Sequence, residues 1–130
     1  PTPLNEEPEL DDPKIKSAAS SWLALLKRGE LDKLASRSSV PFYAGDQIIA
    51  RTQDELKGVL KAMIDESRGA AVSDATIYSA AGLRRKFGSV PAGVSEGRGR
   101  MYATAKIGGQ TTILLLEQRF GAWRIVGLSR

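Results

Sequence analysis

The chain has 130 residues, enough for a single hydrophobic core, and it contains no cysteine and no histidine. These two absences exclude disulfide bonds, thiol chemistry and the commonest general base and metal ligand, and the sequence predicts neither a metal site nor a cofactor. Residues 1–67 hold 9 basic and 12 acidic residues whereas residues 68–130 hold 10 and 3, so the overall charge of +4 lies in a basic C-terminal half.

Residues 1–12 contain three prolines and five acidic residues, and this composition predicts a flexible acidic tail or linker in front of a single domain over residues 13–130. The chain starts at Pro1 rather than methionine and shows neither a signal peptide nor an apolar run of about 20 residues. A missing methionine and a tail of this kind suit an exported protein, but the lack of cysteine fits the cytosol equally well. The compartment therefore stays open.

Helix signals follow in order. Asp12 and Pro13 are suited to the N-cap and first position of a helix whose apolar stripe runs until Gly29. Residues 30–36 predict a second, short helix. Thr52 and the residues after it form a capping box, which predicts a third helix ending near residue 69.

Three further stretches lie between and after these helices. Val40–Tyr43 and Gln47–Ala50 predict a small hairpin, and Ala75–Lys86 is interpreted as a strand. Residues 88–99 predict a long loop. A phosphate cradle there is disfavoured because its Gly-Arg-Gly segment neither follows a strand nor opens a helix.

The C-terminal residues predict two consecutive hairpins. Gly108-Gly109 is a two-residue turn that sets Ile107 opposite Gln110. A second turn over residues 119–122 sets Gln118 opposite Trp123, and continued pairing would set Leu115 opposite Val126.

Because side chains alternate, these registers divide three strands into two faces. The predicted core face carries Met101, Ala103, Ala105, Thr112, Leu114, Leu116, Gln118, Trp123, Ile125 and Gly127. The predicted outer face carries Arg100, Tyr102, Thr104, Lys106, Thr111, Ile113, Leu115, Glu117, Arg124, Val126 and Leu128. Glu117 would lie between Arg100 and Arg124 as an exposed stabiliser worth at most about 1 kcal/mol per pair.

Residues 19–32, the capped helix and residues 120–126 together resemble the nuclear transport factor two-like superfamily, which includes ketosteroid isomerase and the polyketide cyclases. The resemblance covers residues 14–130. It implies an α+β fold in which a strongly curved, mostly antiparallel sheet is wrapped by about three helices around a conical pocket. It also implies that the outer sheet face serves for dimerisation in many members.

On this resemblance, eight residues would line the pocket: Trp22, Leu26, Leu60, Met63, Met101, Leu116, Gln118 and Trp123. The same side chains would equally serve as core filling. The aliphatic residues among the charges of the outer face predict a homodimer through that face.

Three functions follow as hypotheses. The first is a non-catalytic domain that binds a small apolar or anionic molecule, or a dimeric interaction module. The alternative is an isomerase, dehydratase or cyclase in which Asp46 is the base and Tyr43 or Tyr78 stabilises an oxyanion, although Asp46 also fits a turn. A basic surface from Arg84 to Arg100 raises a third hypothesis, anion or nucleic-acid binding, and nucleic acid is disfavoured because no aromatic series accompanies the charges.

Overall fold

A computed structural model describes residues 9–10, 13–45, 47–87, 100–119 and 121–129 of the chain. Within these ranges the helices are α1 (Pro13–Arg28), α2 (Leu31–Ser36), α3 (Gln53–Ser67) and α4 (Ala80–Phe87). The strands are β1 (Glu9–Leu10), β2 (Ser38–Ala44), β3 (Gln47–Ala50), β4 (Thr76–Tyr78), β5 (Met101–Ile107), β6 (Gln110–Arg119) and β7 (Ala122–Ser129).

The described strands form one sheet in the order β1-β4-β5-β6-β7-β2-β3. All neighbouring pairs are antiparallel except β2 and β7, which run parallel. The parallel pair arises because the chain passes from the small β2–β3 hairpin through α3 and returns to the far side of the sheet. The α+β class and the mostly antiparallel sheet are confirmed.

The three predicted helices are present. Gly29 adopts a positive φ of 72° directly after α1, as its position as a helix terminator requires. At the start of α3 the Thr52 hydroxyl accepts a hydrogen bond from the Glu55 amide at 3.1 Å, and the Glu55 carboxylate accepts one from the Arg51 amide at 2.7 Å. The N-cap predicted at Asp12 lies outside the described residues.

The register of the C-terminal hairpins is confirmed over most of its length. Ile107 faces Gln110 across the glycine turn, and Gln118 faces Trp123 in the second hairpin. Beyond Ile125 the prediction is wrong, because a bulge sets Leu115 opposite Gly127 instead of Val126. The bulge moves Gly127 from the predicted core face to the outer face, and Leu128 from the outer face to the core face.

As a result, Leu128, which was predicted on the outer face, packs against the core. Gly127 lies on the same face as Leu115. Gly127 meets β2 there: a Cβ atom at this position would lie 2.7 Å from the carbonyl oxygen of Tyr43. Glycine thus permits the close approach of the two parallel strands.

The strand predicted over Ala75–Lys86 is wrong after Tyr78, where the chain turns into α4. Ser79 begins this helix: its hydroxyl accepts a hydrogen bond from the Gly82 amide at 3.0 Å, and its carbonyl accepts one from the Leu83 amide at 2.8 Å. The residues after Ser79 are small and continue the side-chain alternation of the preceding strand, and this pattern concealed the cap. Glu9 and Leu10, which belong to the stretch predicted as a tail, pair with Tyr78 and Ile77 as an edge strand.

Apolar side chains fill both faces of the sheet. The first face is the predicted core face, where α1, α2 and α3 pack on the sheet. Its core contains Trp22, Leu34, Leu56 and Leu60 from the helices and Ala103, Leu114, Leu116 and Ile125 from the strands. On the second face, Leu83 of α4 joins Tyr78, Tyr102, Ile113, Leu115 and Val126. Trp123 packs against the first core, and the register places Glu117 on the opposite side of the sheet, as predicted.

A hydrogen-bond chain satisfies the one polar atom of the largest core side chain. The indole N–H of Trp22, which is 0% exposed, donates to the Ser38 hydroxyl at 2.8 Å. The Ser38 hydroxyl in turn donates to the Leu34 carbonyl at 2.9 Å. The chain joins α1, the end of α2 and the start of β2.

Replacing Ser38 with alanine tests this chain. The Trp22 indole would keep its burial and lose its acceptor, so we expect Ser38→Ala to lower the free energy of unfolding by about 1–3 kcal/mol in urea denaturation. Ser36→Ala is the matched control, since that exposed hydroxyl bonds only to the Lys33 carbonyl in its own helix. A loss no larger than that of the control would contradict the role given to Ser38.

Two glycine substitutions test the contact between β2 and β7. Gly127→Ala places its methyl group against the Tyr43 backbone, so the strands must separate and we expect a loss of about 1–3 kcal/mol. Gly58→Ala adds the same methyl group to α3 where nothing lies within 4 Å, and we expect a gain of about 0.5–1 kcal/mol. Equal effects of the two changes on the thermal midpoint would refute the proposed crowding.

Candidate functional site

Most of the residues expected to line a pocket are buried in the core. Trp22, Leu26, Leu60 and Leu116 are between 0% and 2% exposed, so they present no surface that a bound molecule could touch. Met63 and Met101 are partly buried and pack against the same core. The alternative considered for these residues, core filling, describes all six positions.

The other two expected residues, Gln118 and Trp123, line an open groove of about 460 Å³ at one end of the first sheet face. We call it the mouth groove. Its walls are Pro13, Lys14, Ser17 and Ala18 of α1, Arg37 after α2, and Gln118, Gly121, Ala122 and Trp123 of the β6–β7 hairpin. Its volume lies within the range of small-molecule sites.

The local sequence explains how each wall is positioned. On α1, Lys14, Ser17 and Ala18 are three and four residues apart and therefore share one side of the helix. Trp123 lies on the same face of β7 as the core residue Ile125, two positions closer to the turn. The groove is thus the part of the first face that extends beyond the packed core.

Arg37 is the groove residue that the sequence pattern could not reveal. Its carbonyl accepts a hydrogen bond from the Ile125 amide at 3.0 Å, and its amide donates to carbonyls in the last turn of α2. It comes near Trp123 only through the parallel pairing of β2 with β7, which is a contact between distant parts of the chain. No local period predicts such a contact.

The second face carries an ion cluster around Glu117. The carboxylate is paired with the guanidinium groups of Arg100 and, at 2.7 Å, of Arg119. The predicted partner Arg100 is confirmed, but the second arginine of this pairing is Arg119 from the same strand. Arg124 lies opposite Glu117, and its guanidinium donates to the backbone carbonyls of Ser36 and Arg119.

This cluster is less exposed than expected, with side-chain exposures of 7% for Arg100 and 18% for Glu117. Burial raises the pKa of the Glu117 carboxyl, but the hydrogen bonds and positive charges of Arg119 and Arg100 outweigh burial and lower the pKa below its usual value. Glu117 is therefore an ionised structural partner of two arginines and is poorly suited to general base catalysis at neutral pH.

The catalytic candidates do not form a described site. Asp46 lies outside the described residues, so the alternative enzyme hypothesis stays a prediction at that residue. Tyr43 lies on the second sheet face, where the Arg100 guanidinium is 5.4 Å from the centre of its ring. Tyr78 is buried in the second core. Among the residues the structure describes, no group of three or more acidic side chains could hold a metal ion.

The outer face does not offer the aliphatic surface that suggested a homodimer. Ile113, Leu115 and Val126 are buried within this chain together with Leu83 of α4. The excess of apolar residues is explained by this intramolecular core, and the reason given for the dimer is lost.

In the described part of the chain, none of the helices could cross a membrane.

The predicted basic surface is also divided. Arg84, Arg85 and Lys86 are exposed on α4, whereas Arg100 is buried against Glu117. The loop between them lies outside the described residues.

The pH dependence of stability tests the ion cluster. The pKa of Glu117 is lowered by folding, so its contribution is complete above the unfolded pKa and disappears as the pH falls through the lower folded pKa. We expect Glu117→Gln to reduce the free energy of unfolding by about 1–3 kcal/mol at pH 7, and the difference from the parent to shrink below about pH 4.

Asp65→Asn is the matched control for this change. Asp65 also meets two cations, Lys61 and Arg68, but its side chain is 51% exposed. Such pairs contribute at most about 1 kcal/mol, so we expect a small effect of Asp65→Asn in the same titration. Equal losses for the two variants would show that burial adds nothing to the Glu117 cluster.

Comparison with known proteins identifies the fold. No protein-family model matches the chain, and no curated protein matches it by sequence. Among solved structures, a protein of unknown function with a cystatin-like fold from Nostoc punctiforme is similar, with a TM-score of 0.51 and 15% identity over 89% of this chain and 86% of that one. A nuclear transport factor two-like protein of unknown function from Pseudomonas putida has a TM-score of 0.51 and 8% identity, over 88% and 81% of the two chains. At these identities the likeness concerns the fold alone, and the chain has the cystatin-like fold of the nuclear transport factor two-like proteins.

Proposed function

We propose that the chain is a non-catalytic domain that binds a small molecule in the mouth groove. The observation that carries the proposal is the position of Trp123, which is half-buried and lines a concave surface of about 460 Å³. Aromatic side chains supply large contact areas at low conformational cost, and they are typical of sites for small molecules.

The packed interior also supports the mouth groove as the binding site. Because Trp22, Leu60 and Leu116 have no accessible surface, a ligand could enter the first face only by displacing a packed core. The mouth groove requires no such rearrangement. It offers apolar contact from Ala18, Ala122 and Trp123 and polar groups from Ser17 and Gln118.

The surroundings of Glu117 make this carboxylate unsuitable as a catalytic base, and the enzyme hypothesis depends on Asp46 alone. A general base must be able to take up a proton near neutral pH. The lowered pKa of Glu117 and its pairing with Arg100 and Arg119 fit a structural role instead.

The two tryptophans give a direct test by NMR. We expect phenylbutanol or phenylbutyrate at millimolar concentration to shift the indole N–H signal of Trp123 saturably and to leave that of Trp22 unchanged. Trp22 is an internal reference because its indole is buried and bonded to Ser38. If neither probe moves the Trp123 signal, the proposed site is wrong.

A blocked groove provides the control. Ser17 is an exposed residue of the groove wall on α1, so Ser17→Phe should fill part of the groove without disturbing the core and should abolish the shift. Thr111→Phe adds the same ring to an exposed position near the other end of β6 and should leave the shift intact. Melting curves of both variants establish that they are folded.

A further inference from the structure

We infer that the mouth groove selects a carboxylate ligand with a short apolar or aromatic body, and that Arg37 is the residue that recognises the carboxylate. The inference rests on the proposed function, since it names the class of molecule that this groove binds. It adds a charge requirement and one residue that the expected pocket did not include.

The charge of the groove is the first observation. Among the nine residues that line it in the described part of the chain, Lys14 and Arg37 are cationic and none is acidic. They belong to different parts of the fold, one to the first turn of α1 and the other to the junction of α2 and β2. A concave surface bordered by cations on two elements attracts an anion more strongly than a neutral molecule of equal shape.

The fixed backbone of Arg37 is the second observation. Its amide donates to the carbonyls of Lys33 and Leu34, both at 3.2 Å, and its carbonyl accepts from Ile125 at 3.0 Å. The base of the side chain is therefore held between α2 and β7, and the residue as a whole is exposed. A guanidinium can bind both oxygens of a carboxylate, which a lysine ammonium cannot do in the same planar geometry.

The apolar wall is the third observation and defines the body of the ligand. Trp123 lies opposite α1, where Ala18 leaves room that a larger side chain would occupy. A flat ring or short alkyl chain can rest on the indole while its carboxylate reaches the cationic rim. Phosphorylated sugars and other polar anions lack such a body and would leave Trp123 uncovered.

A matched pair of probes tests the charge requirement. Phenylbutyrate and phenylbutanol have the same ring and chain length, and only the first is an anion at pH 7. From the Trp123 indole shift at low salt we expect phenylbutyrate to bind about fivefold to tenfold more tightly, the size of one or two exposed ion pairs. The preference should shrink when sodium chloride is added.

Substitutions at Arg37 and Lys14 identify the residue that causes the preference for phenylbutyrate. Arg37→Gln should remove most of the advantage of phenylbutyrate and leave phenylbutanol binding unchanged, and Arg37→Lys should restore only part of it. Lys14→Gln should have a smaller effect. Lys16→Gln and Arg51→Gln are controls because both residues are exposed and lie outside the groove lining.

The outcomes separate this inference from the proposed function. Equal binding of the two probes by the parent chain would overturn the charge requirement and leave the groove as a site. Equal weakening of both probes by Arg37→Gln would overturn the recognition role of Arg37. If neither probe bound, the proposed function itself would fail.

Discussion

Strands β5, β6 and β7 carry apolar side chains on both faces, so neither face is stable until another element covers it. Helices α1, α2 and α3 cover the first face, and α4 contributes Leu83 to the second. The rest of the structure depends on this double burial. It fills the space beneath the first three helices, and it places Arg100 and Glu117 where their charges must be paired.

The two faces consequently have different chemistry. The second face contains a network in which Glu117 pairs with two arginines and Arg100 lies over the Tyr43 ring. In the described part of the chain, the first face is mostly apolar up to the β6–β7 hairpin, where Lys14, Arg37, Gln118 and Trp123 border open space. The proposed ligand site therefore lies at the end of the core rather than inside it.

The sequence predicted the parts of this arrangement that depend on local patterns. Gly108-Gly109 and the alternation that follows were sufficient for the hairpin register, and Thr52 was sufficient for the start of α3. The bulge at Val126 could not be predicted, because it depends on how β7 fits between β6 and the distant strand β2. α4 was missed because Ser79 is followed by small residues that suit a strand and a helix alike.

The candidate site was predicted only in part for the same reason. Trp123 and Gln118 followed from the register, whereas Arg37 reaches them through the parallel β2–β7 pair. The resemblance to pocket-containing folds also predicted a larger cavity than the described residues enclose. Side-chain volume decides whether an interior is hollow, and here Trp22 and its neighbours occupy it.

Hydrogen exchange of the two indole N–H groups tests the central claim, that the interior of the described fold is packed and that the proposed site lies at its mouth. If the claim holds, the Trp22 indole exchanges at the rate set by global unfolding, whereas the Trp123 indole exchanges many times faster. Comparable fast exchange at Trp22 and Trp123 would mean that solvent reaches the interior. The fold would then contain the deep pocket that the resemblance implies.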